Sequence, residues 1–132
     1  MKTGLIFGCF DFLHIGHINI LKHCKENCDK LIVGVCNDKH IIDRKKKLPL
    51  NNENDRLEII KSLKYVDDAF LIYGDLIDYK DYILKNIDIL FAGDDHKDEQ
   101  QFVTLNKETI FFPYTRGIST TLLREKIIQI KN

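Results

Sequence analysis

Short segments that are apolar along almost their whole length recur in this chain. The clearest of them reads Leu-Ile-Val-Gly-Val-Cys from Leu31 to Cys36. A strand with one buried face alternates apolar and polar residues, whereas a strand covered on both faces is apolar throughout. The segments therefore predict a parallel sheet with helices on both sides, and its strands are expected at 4–7, 31–36, 69–72, 87–92 and 109–112.

Segments with helical spacing of apolar residues separate these strands. The predicted helices span 16–28, 54–64, 78–86 and 119–130. Alternation of strands and helices predicts an α/β fold, a Rossmann-like doubly wound five-stranded parallel sheet. A length of 132 residues suits a single domain over residues 1–132. Ligands bind such sheets at the carboxyl ends of the strands, near the point where the strand order reverses.

Charge balance and segment length exclude two classes of partner. The chain has 20 Lys and Arg residues against 20 Asp and Glu residues, so it lacks the basic excess of a nucleic-acid-binding protein. No apolar run reaches the roughly 18 residues that a membrane span needs, and the N-terminus does not read as a signal peptide. We expect a cytoplasmic protein with neither nucleic acid nor membrane as a partner.

Four cysteines lie in the first third of the chain: Cys9, Cys24, Cys28 and Cys36. None forms a C-x-x-C pair, and a disulfide framework is not expected in the cytoplasm, so free thiols are predicted. Cys24 and Cys28 have the spacing of ligands on one helical face, but a zinc site would need two more ligands.

The first predicted strand runs into the sequence Gly-Cys-Phe-Asp-Phe-Leu-His-Ile-Gly-His, from Gly8 to His17. Gly16 permits close approach of a ligand to the backbone, and the start of the next helix is expected to offer free N–H groups to an anion. His14 and His17 are three residues apart and therefore lie on one face of the first turn. The segment predicts a pocket for a phosphate group that gains negative charge during a reaction.

Three further segments follow later strands. Ser119 is a good helix N-cap, and its hydroxyl with those of Thr120 and Thr121 predicts a second phosphate site. The run from Lys39 to Lys47 is rich in Lys and Arg and is expected to be a flexible loop that closes over the substrates. The carboxylates of the turn-prone segment 93–95, Gly-Asp-Asp, can accept hydrogen bonds from a nucleotide amino group or ribose.

Together these motifs resemble a known family. Gly-x-Phe-Asp-x-x-His-x-Gly-His at 8–17 is similar to the signature of the cytidylyltransferase branch of the HxGH nucleotidyltransferases. The segment 56–68 resembles the family's Arg-containing helix and Tyr-Val-Asp strand entry, 92–95 its Gly-Asp-Asp, and 115–121 its final motif. The four match in order and spacing over nearly the whole chain. HxGH is shared with transferases that use ATP, so this element alone does not fix the base.

The resemblance implies a reaction that condenses CTP with a small phosphorylated alcohol, with sn-glycerol 3-phosphate as the first candidate, to give CDP-glycerol and pyrophosphate. It further implies Mg²⁺ as a cofactor held mainly by phosphates, with no metal-binding residues of the protein, and a homodimer. Such products feed the synthesis of bacterial surface polysaccharides.

The resemblance also assigns roles to residues. The catalytic residues are His14, His17, Lys45 and Lys47. The nucleotide-binding residues are Gly8, Cys9, Phe10, Gly16, His17, Gly93, Asp94, Asp95, Thr115, Gly117, Ile118, Ser119 and Thr120. The substrate-binding residues are Asp11, Lys45, Arg56, Lys64 and Asp67, with the anchoring of the basic run as the alternative role of Arg56.

Two positions depart from the family pattern. Lys64 stands where a second Arg usually precedes Tyr-Val-Asp, and Tyr114 stands where the final motif usually begins with Arg. Lysine keeps the charge but loses the bidentate fork, and Arg116 is a candidate source of the missing guanidinium. Because both changes concern substrate contacts, the acceptor and the base stay open.

The alternatives fall into three classes. The first is an adenylyltransferase, or a cytidylyltransferase that acts on another phospho-polyol, a sugar phosphate or phosphoethanolamine. The second is an idle nucleotide-binding module. The third is a metal-binding or interaction domain that uses Cys24, Cys28 and the basic run.

Overall fold

Five parallel strands form one sheet in the computed structural model, which describes residues 1–113 and 119–131. The order is β3-β2-β1-β4-β5, and all neighbouring pairs are parallel. The order reverses between β1 and β4, as in a doubly wound sheet. The predicted fold class is therefore confirmed. The strands are β1 (Thr3–Gly8), β2 (Lys30–Cys36), β3 (Asp68–Ile72), β4 (Ile89–Gly93) and β5 (Glu108–Phe112).

The described residues form six α-helices and two short 3₁₀ turns. The 3₁₀ turns are Leu76–Tyr79, which leads into α4, and Asp94–His96, which follows β4. No helix of the described ranges is long and apolar enough to cross a membrane. The helices are α1 (Ile15–Glu26), α2 (Asp38–Lys45), α3 (Glu53–Lys61), α4 (Lys80–Asn86), α5 (Gln100–Leu105) and α6 (Thr120–Lys131).

Helix α2 corrects the prediction of a flexible loop over the basic run. Asn37 caps it, since its side-chain oxygen accepts from the His40 N–H at 3.2 Å. Arg44 and Lys45 lie in its last turn, where the helix dipole favours cations. Ile41 is its buried residue, and one apolar residue gives no periodicity to detect. The helix ends at Lys46, whose backbone is left-handed with φ 59°.

The sheet is covered on both faces. Leu5 and Ile6 are neighbours in β1 yet belong to different buried clusters, as expected for a strand buried on both sides. Helices α1 and α3 supply Leu21, Cys24 and Ile60 to the cluster of Ile6, and helices α4 and α5 supply Ile83, Phe102 and Leu105 to that of Leu5.

Gly34 in β2 provides a test of this packing. A Cβ there would lie 2.5 Å from Cδ1 of Phe7 and 2.9 Å from Cγ2 of Ile72. We expect Gly34→Ala to lower the free energy of unfolding by about 1–3 kcal/mol, because the added methyl group overpacks the core. Denaturant unfolding measures this change.

Gly74→Ala is the matched control. Its Cβ would meet Oδ2 of Asp78 at 2.5 Å, and this atom is the end of a side chain that can move. We expect a change below about 1 kcal/mol for this variant. If the free energy of unfolding falls equally in the two variants, the tight packing around Gly34 in β2 is contradicted.

Candidate active site

A cavity of about 680 Å³ opens at the carboxyl ends of β1, β2 and β4. Its position at the reversal of the strand order is the one expected for a ligand site in this fold. His17 and Lys45 line one side, and Gly93 and Asp95 line the other. The volume is in the usual range for small-molecule sites. The structure therefore brings residues from the β1, β2 and β4 ends to one place.

His14 and His17 form the N-terminal cap of α1 together. Nδ1 of His14 accepts from the Gly16 N–H at 3.0 Å, and Nδ1 of His17 accepts from the His14 N–H at 3.1 Å. This is a capping box in which two imidazoles replace the usual hydroxyl and carboxylate. The rings stack with centroids 3.9 Å apart. The arrangement fixes the orientation of both rings.

Both imidazoles are neutral at pH 7. Burial lowers the pKa of His14. Burial, then the charges of His14 and Lys45, lower the pKa of His17 to about 4, although Asp11 opposes the shift. Since Nδ1 of each ring accepts a hydrogen bond, its proton is on Nε2. The pair can therefore act as two Nε2–H donors rather than as two cations.

Most backbone N–H groups in the first turn of α1 have partners. The Gly16 N–H donates to the His14 ring, and the N–H groups of His17 and Ile18 donate to the His14 carbonyl at 3.1 and 3.2 Å. The histidine cap therefore uses several of the groups that were expected to be free for an anion. An anion at this end of the helix would have the Ile15 N–H and the imidazole N–H groups as donors.

Arg56 is a structural residue and not a surface ligand. Its side chain is completely buried. Nη1 donates to the carbonyls of Cys9 at 2.9 Å and Cys36 at 2.7 Å, Nη2 to Oδ1 of Asp38 at 2.7 Å, and Nε to the Asn51 carbonyl at 3.0 Å. The prediction of direct substrate contact is corrected, because burial keeps the guanidinium from the cavity. The alternative role, anchoring of the basic segment, agrees with the contact to Asp38 at the start of α2.

Asp11 lies in the cavity wall but its carboxylate has several donors. It accepts from the N–H groups of Leu50 at 2.8 Å and Asn51 at 2.9 Å, and from Nη2 of Arg124 at 3.1 Å. It thus joins the β1–α1 loop to the segment after α2 and to α6. These bonds give Asp11 a positioning role, and its place in the cavity wall leaves its predicted role as a substrate ligand a prediction. The loop beside it is strained, since Phe10 and Phe12 have positive φ of 50° and 49°.

Cationic side chains surround the β1 and β2 side of the cavity. Lys45 and Lys47, both predicted from the sequence, line it together with His40 and Arg44. Asp75, which the sequence reasoning missed, contacts both His40 and Arg44. Its Oδ1 lies 2.7 Å from Nη1 of Arg44 and 3.5 Å from Nε2 of His40. The signal for Asp75 was its place directly after β3, at the same edge of the sheet.

Arg124 of α6 is a further residue that the sequence reasoning missed. It lines the cavity beside Thr121, and its Nε is buried without a hydrogen-bond partner among the described residues. A buried N–H of this kind is costly unless a ligand or water accepts from it. Its position on the helix after the serine and threonine motif was the available signal.

The β4 side of the cavity presents carboxylates and an imidazole. Gly93 ends β4, and Asp95 and His96 of the following 3₁₀ turn line the cavity, while Asp94 is exposed. Nδ1 of His96 lies 2.6 Å from Oε2 of Glu99. The sequence predicted acceptor carboxylates at Asp94 and Asp95; of these Asp95 lines the cavity, and Glu99 adds a further carboxylate.

The predicted second phosphate site is described in part. Ser119 caps α6, since its Oγ accepts from the Leu122 N–H at 3.0 Å and its carbonyl from the Leu123 N–H at 3.0 Å. The predicted N-cap is therefore confirmed. The other residues of the predicted motif, Tyr114, Thr115, Arg116, Gly117 and Ile118, lie outside the described residues, as does the side chain of Thr120.

Lys64 and Asp67 lie away from this cavity. Asp67 precedes β3 and accepts at Oδ2 from the Leu31 N–H at 2.7 Å and from Nζ of Lys25 at 2.5 Å. These hydrogen bonds lower the pKa of Asp67, with that of Lys25 as the main cause. Nζ of Lys64 lies 5.2 Å from the centroid of the Tyr65 ring. The prediction that both bind substrate within this site is corrected, because they stand at the amino ends of β2 and β3.

Comparisons with known proteins agree with the geometry. Residues 5–126 match the cytidylyltransferase-like family. Glycerol-3-phosphate cytidylyltransferase of Bacillus subtilis (strain 168) is 34% identical over 127 residues, which cover 96% of this chain and 98% of that protein. An FAD synthase of Thermococcus sibiricus is 36% identical over 129 residues, which cover 92% of this chain and 86% of that protein. The names of these two relatives indicate different products.

A solved structure supports the fold. The lipopolysaccharide core biosynthesis protein from Thermoplasma volcanium GSS1 superposes with a TM-score of 0.69 at 30% identity. The match covers 87% of this chain and 97% of that one. The similarity therefore extends over most of both chains.

The neutral state of His17 predicts a pH dependence of stability. The unfolded chain takes up this proton near pH 6.5, whereas the folded chain resists it until about pH 4. The contribution of the neutral His17 ring to the free energy of unfolding is thus complete above pH 6.5 and is lost as the pH falls toward 4. His17→Gln keeps a side chain that can accept the hydrogen bond of the cap. When the pH is lowered from 6.5 to 4, we expect the free energy of unfolding of this variant to fall by about 1–2 kcal/mol less than that of the wild type.

Denaturant unfolding at several pH values measures this difference. His23→Gln is the matched control, because His23 lies on the exposed surface of the same helix. The free energy of unfolding of this control is expected to change with pH as that of the wild type does. If the free energy of unfolding of His17→Gln depends on pH as that of the wild type does, a neutral His17 is contradicted.

The buried guanidinium of Arg56 predicts a large loss of stability on truncation. Arg56→Ala removes the donors to three carbonyl groups and leaves Asp38 without its ion pair, so we expect a loss of about 3–5 kcal/mol. Arg44→Ala is the control, since its ion pair with Asp75 is half exposed and is worth about 1 kcal/mol or less. Similar losses in chemical denaturation of the two variants would show that Arg56 does not hold the strand ends.

Proposed function

Since the chain belongs to the cytidylyltransferase-like family and is a nucleotidyltransferase, we propose that it condenses CTP with a small phosphorylated alcohol. The first candidate for the acceptor is sn-glycerol 3-phosphate, and the products are then CDP-glycerol and pyrophosphate. The observation that carries this proposal is the pair of oriented imidazoles, of which His17 lines the cavity beside Lys45 and Lys47. The B. subtilis relative, similar over almost its whole length, supports the choice of acceptor.

The proposed reaction is an in-line displacement. An oxygen of the acceptor phosphate attacks the α-phosphorus of CTP and forms a new P–O bond. The bond from this phosphorus to the oxygen that bridges to the β-phosphate breaks, and pyrophosphate leaves with the electron pair. A phosphate monoester is a nucleophile at pH 7 without a strong base, so catalysis consists of positioning and charge stabilisation.

The histidines act on the α-phosphate in this proposal. Each presents an Nε2–H, because its Nδ1 is occupied by the helix cap. Donors fixed in advance do not have to reorganise as charge develops on the phosphate and bridging oxygens. The cap therefore prepares both rings for the transition state.

The cations neutralise the phosphates. Lys45 and Lys47 stand at the end of α2, on the same side of the cavity as His17. Arg124 adds a guanidinium whose buried Nε–H has no hydrogen-bond partner among the described residues. These groups suit the triphosphate and the acceptor phosphate, which together carry several negative charges.

Mg²⁺ fits the site as an ion held by the substrate. Within the described ranges no group of three or more His, Cys, Asp and Glu side chains is arranged to hold a metal. Mg²⁺ commonly keeps several waters and is bound through substrate phosphates with one or two carboxylates. Bound in this way it would neutralise phosphate charge, with Asp95 of the cavity wall nearby. We further propose, from the family resemblance, that the protein is a homodimer and serves surface-polysaccharide synthesis.

Pyrophosphate release with Mg²⁺ tests the reaction. CTP and ATP are each crossed with sn-glycerol 3-phosphate, ribitol 5-phosphate, phosphoethanolamine, phosphocholine, a sugar 1-phosphate and, because one relative is an FAD synthase, FMN. We expect turnover with CTP and sn-glycerol 3-phosphate. His17→Ala is expected to lower kcat about 100-fold or more, because it removes a donor to the transition state.

Two outcomes would overturn parts of the proposal. Turnover with ATP alone would show that the transferred group is adenylyl and not cytidylyl, while the reaction class stays the same. Nucleotide binding in calorimetry without turnover on any acceptor would favour the idle binding module. His23→Ala is the control for the histidine effect, since this exposed ring lies at the other end of α1, and it is expected to retain wild-type kcat.

A further inference from the structure

Two free cysteines stand side by side in the wall of the cavity. In the parallel register Gly8 of β1 pairs with Val35 of β2, so the next residues, Cys9 and Cys36, are neighbours at the strand ends. Both line the cavity and pack into the same apolar cluster beside Ile41 and Ile72. Each thiol shifts the pKa of the other. The proposed displacement uses neither sulfur as a reacting atom, although the family resemblance places Cys9 among the nucleotide-binding residues.

The backbone places this pair at neighbouring ends of paired strands, where the usual strand spacing suits a disulfide. Nη1 of the buried Arg56 donates to the carbonyls of both Cys9 and Cys36, which ties the two backbones to one atom. Adjacent strands lie about 4.8 Å apart. This is inside the range of about 4.4–6.8 Å between Cα atoms in disulfides. The bond can therefore form with little movement of the strands.

The two sulfurs differ in reactivity. The neighbouring Cys36 thiol and the positive charges of Lys45 and Arg56 lower the pKa of Cys9, against the effect of burial. The neighbouring Cys9 thiol and burial raise the pKa of Cys36. Cys9 is also the more exposed of the two. Such a pair consists of one attacking thiolate and one resolving thiol.

We propose that Cys9 and Cys36 are an oxidation site through which a hydroperoxide reversibly closes the nucleotide cavity. The Cys9 sulfur attacks a peroxide oxygen and becomes a sulfenic acid, and with hydrogen peroxide one water is released. The Cys36 sulfur then displaces the hydroxyl group, which leaves as a second water, and the S–S bond forms. In total two thiols are oxidised to a disulfide and one peroxide is reduced to two waters. A dithiol reverses the step.

The disulfide acts on the site through its neighbours. The positive charge of Lys45 favours a thiolate at Cys9, and an uncharged disulfide removes this attraction. Cys9 also begins the strained loop, with Phe10 at φ 50°, that leads to the histidine cap. Moving the start of this loop toward β2 displaces the donors of His14 and His17, and displacements of about 1 Å at an active site cost about 100-fold in rate.

Peptide mapping tests the modification independently of the proposed function. Trypsin places the four cysteines in four different peptides: 3–22 with Cys9, 23–25 with Cys24, 26–30 with Cys28 and 31–39 with Cys36. After treatment of the whole protein with hydrogen peroxide, we expect peptides 3–22 and 31–39 to be joined until dithiothreitol is added. Linkage that involves Cys24 or Cys28, or no linkage of Cys9 to Cys36, would overturn the proposal.

Variants separate the two steps. In Cys36→Ser the sulfenic acid of Cys9 cannot be resolved and is expected to be trapped by dimedone, whereas Cys9→Ser should give neither adduct nor disulfide. Cys28→Ser is the matched control, because Cys28 lies near the other end of α1, where its thiol donates to the Cys24 carbonyl at 3.3 Å. This variant should form the Cys9–Cys36 disulfide as the wild type does.

The effect on the site rests on the proposed function and is measured separately. Each protein is assayed before oxidation, after it, and after reduction, and is compared only with its own reduced form. We expect wild type and Cys28→Ser to lose pyrophosphate release about tenfold or more and to recover with dithiothreitol. Complete linkage with unchanged turnover would overturn the closure of the cavity. If the reduced protein has no turnover, loss of CTP binding by calorimetry on oxidation supports closure, and unchanged binding refutes it.

Discussion

The guanidinium of Arg56 is the interaction on which the arrangement of the site depends. It is fully buried, and its partners come from the ends of β1 and β2, the start of α2 and the segment before α3. A buried charge is tolerated when hydrogen bonds and an opposite charge replace the lost water, and here three carbonyls and Asp38 do so. Because parallel strands need long connections, no short loop connects their carboxyl ends. The hydrogen bonds of Arg56 connect them instead.

Asp11 completes this framework from the opposite side. It binds the backbone of the segment after α2 and the guanidinium of Arg124. The two residues thus hold the cationic end of α2 and the last helix against the β1–α1 loop. Both were predicted as substrate ligands. Arg56 is buried away from the cavity and positions the groups that face it, whereas Asp11 combines these contacts with a place in the cavity wall. A charged residue of a motif can therefore shape a site without facing it.

The sequence was sufficient for the sheet and for the location of the site. Leu31 to Cys36 is apolar throughout because both faces are buried, and such a pattern is readable without a structure. His14, His17, Lys45, Gly93 and Asp95 follow strands, so topology alone brings them to one edge. Helix α2 could not be read, since Ile41 is its one buried residue. Likewise, Arg56 is buried by segments remote in sequence, and Lys64 and Asp67 follow a helix and lie at the far edge.

The architecture also explains how one reaction class can serve different substrates in this family. In the proposed reaction the capped histidines and the lysines on the β1 side act on phosphates, which every nucleotide has. The β4 side presents the carboxylates of Asp95 and Glu99 and the imidazole of His96, which suit the amino group of a base or hydroxyl groups. The β4 loops make none of the hydrogen bonds that hold the cap of α1 or the Arg56 side chain. If the proposed roles hold, recognition can change on the β4 side without a change in the groups that act on phosphate, which agrees with the different products of a cytidylyltransferase and an FAD synthase that are each about a third identical to this chain.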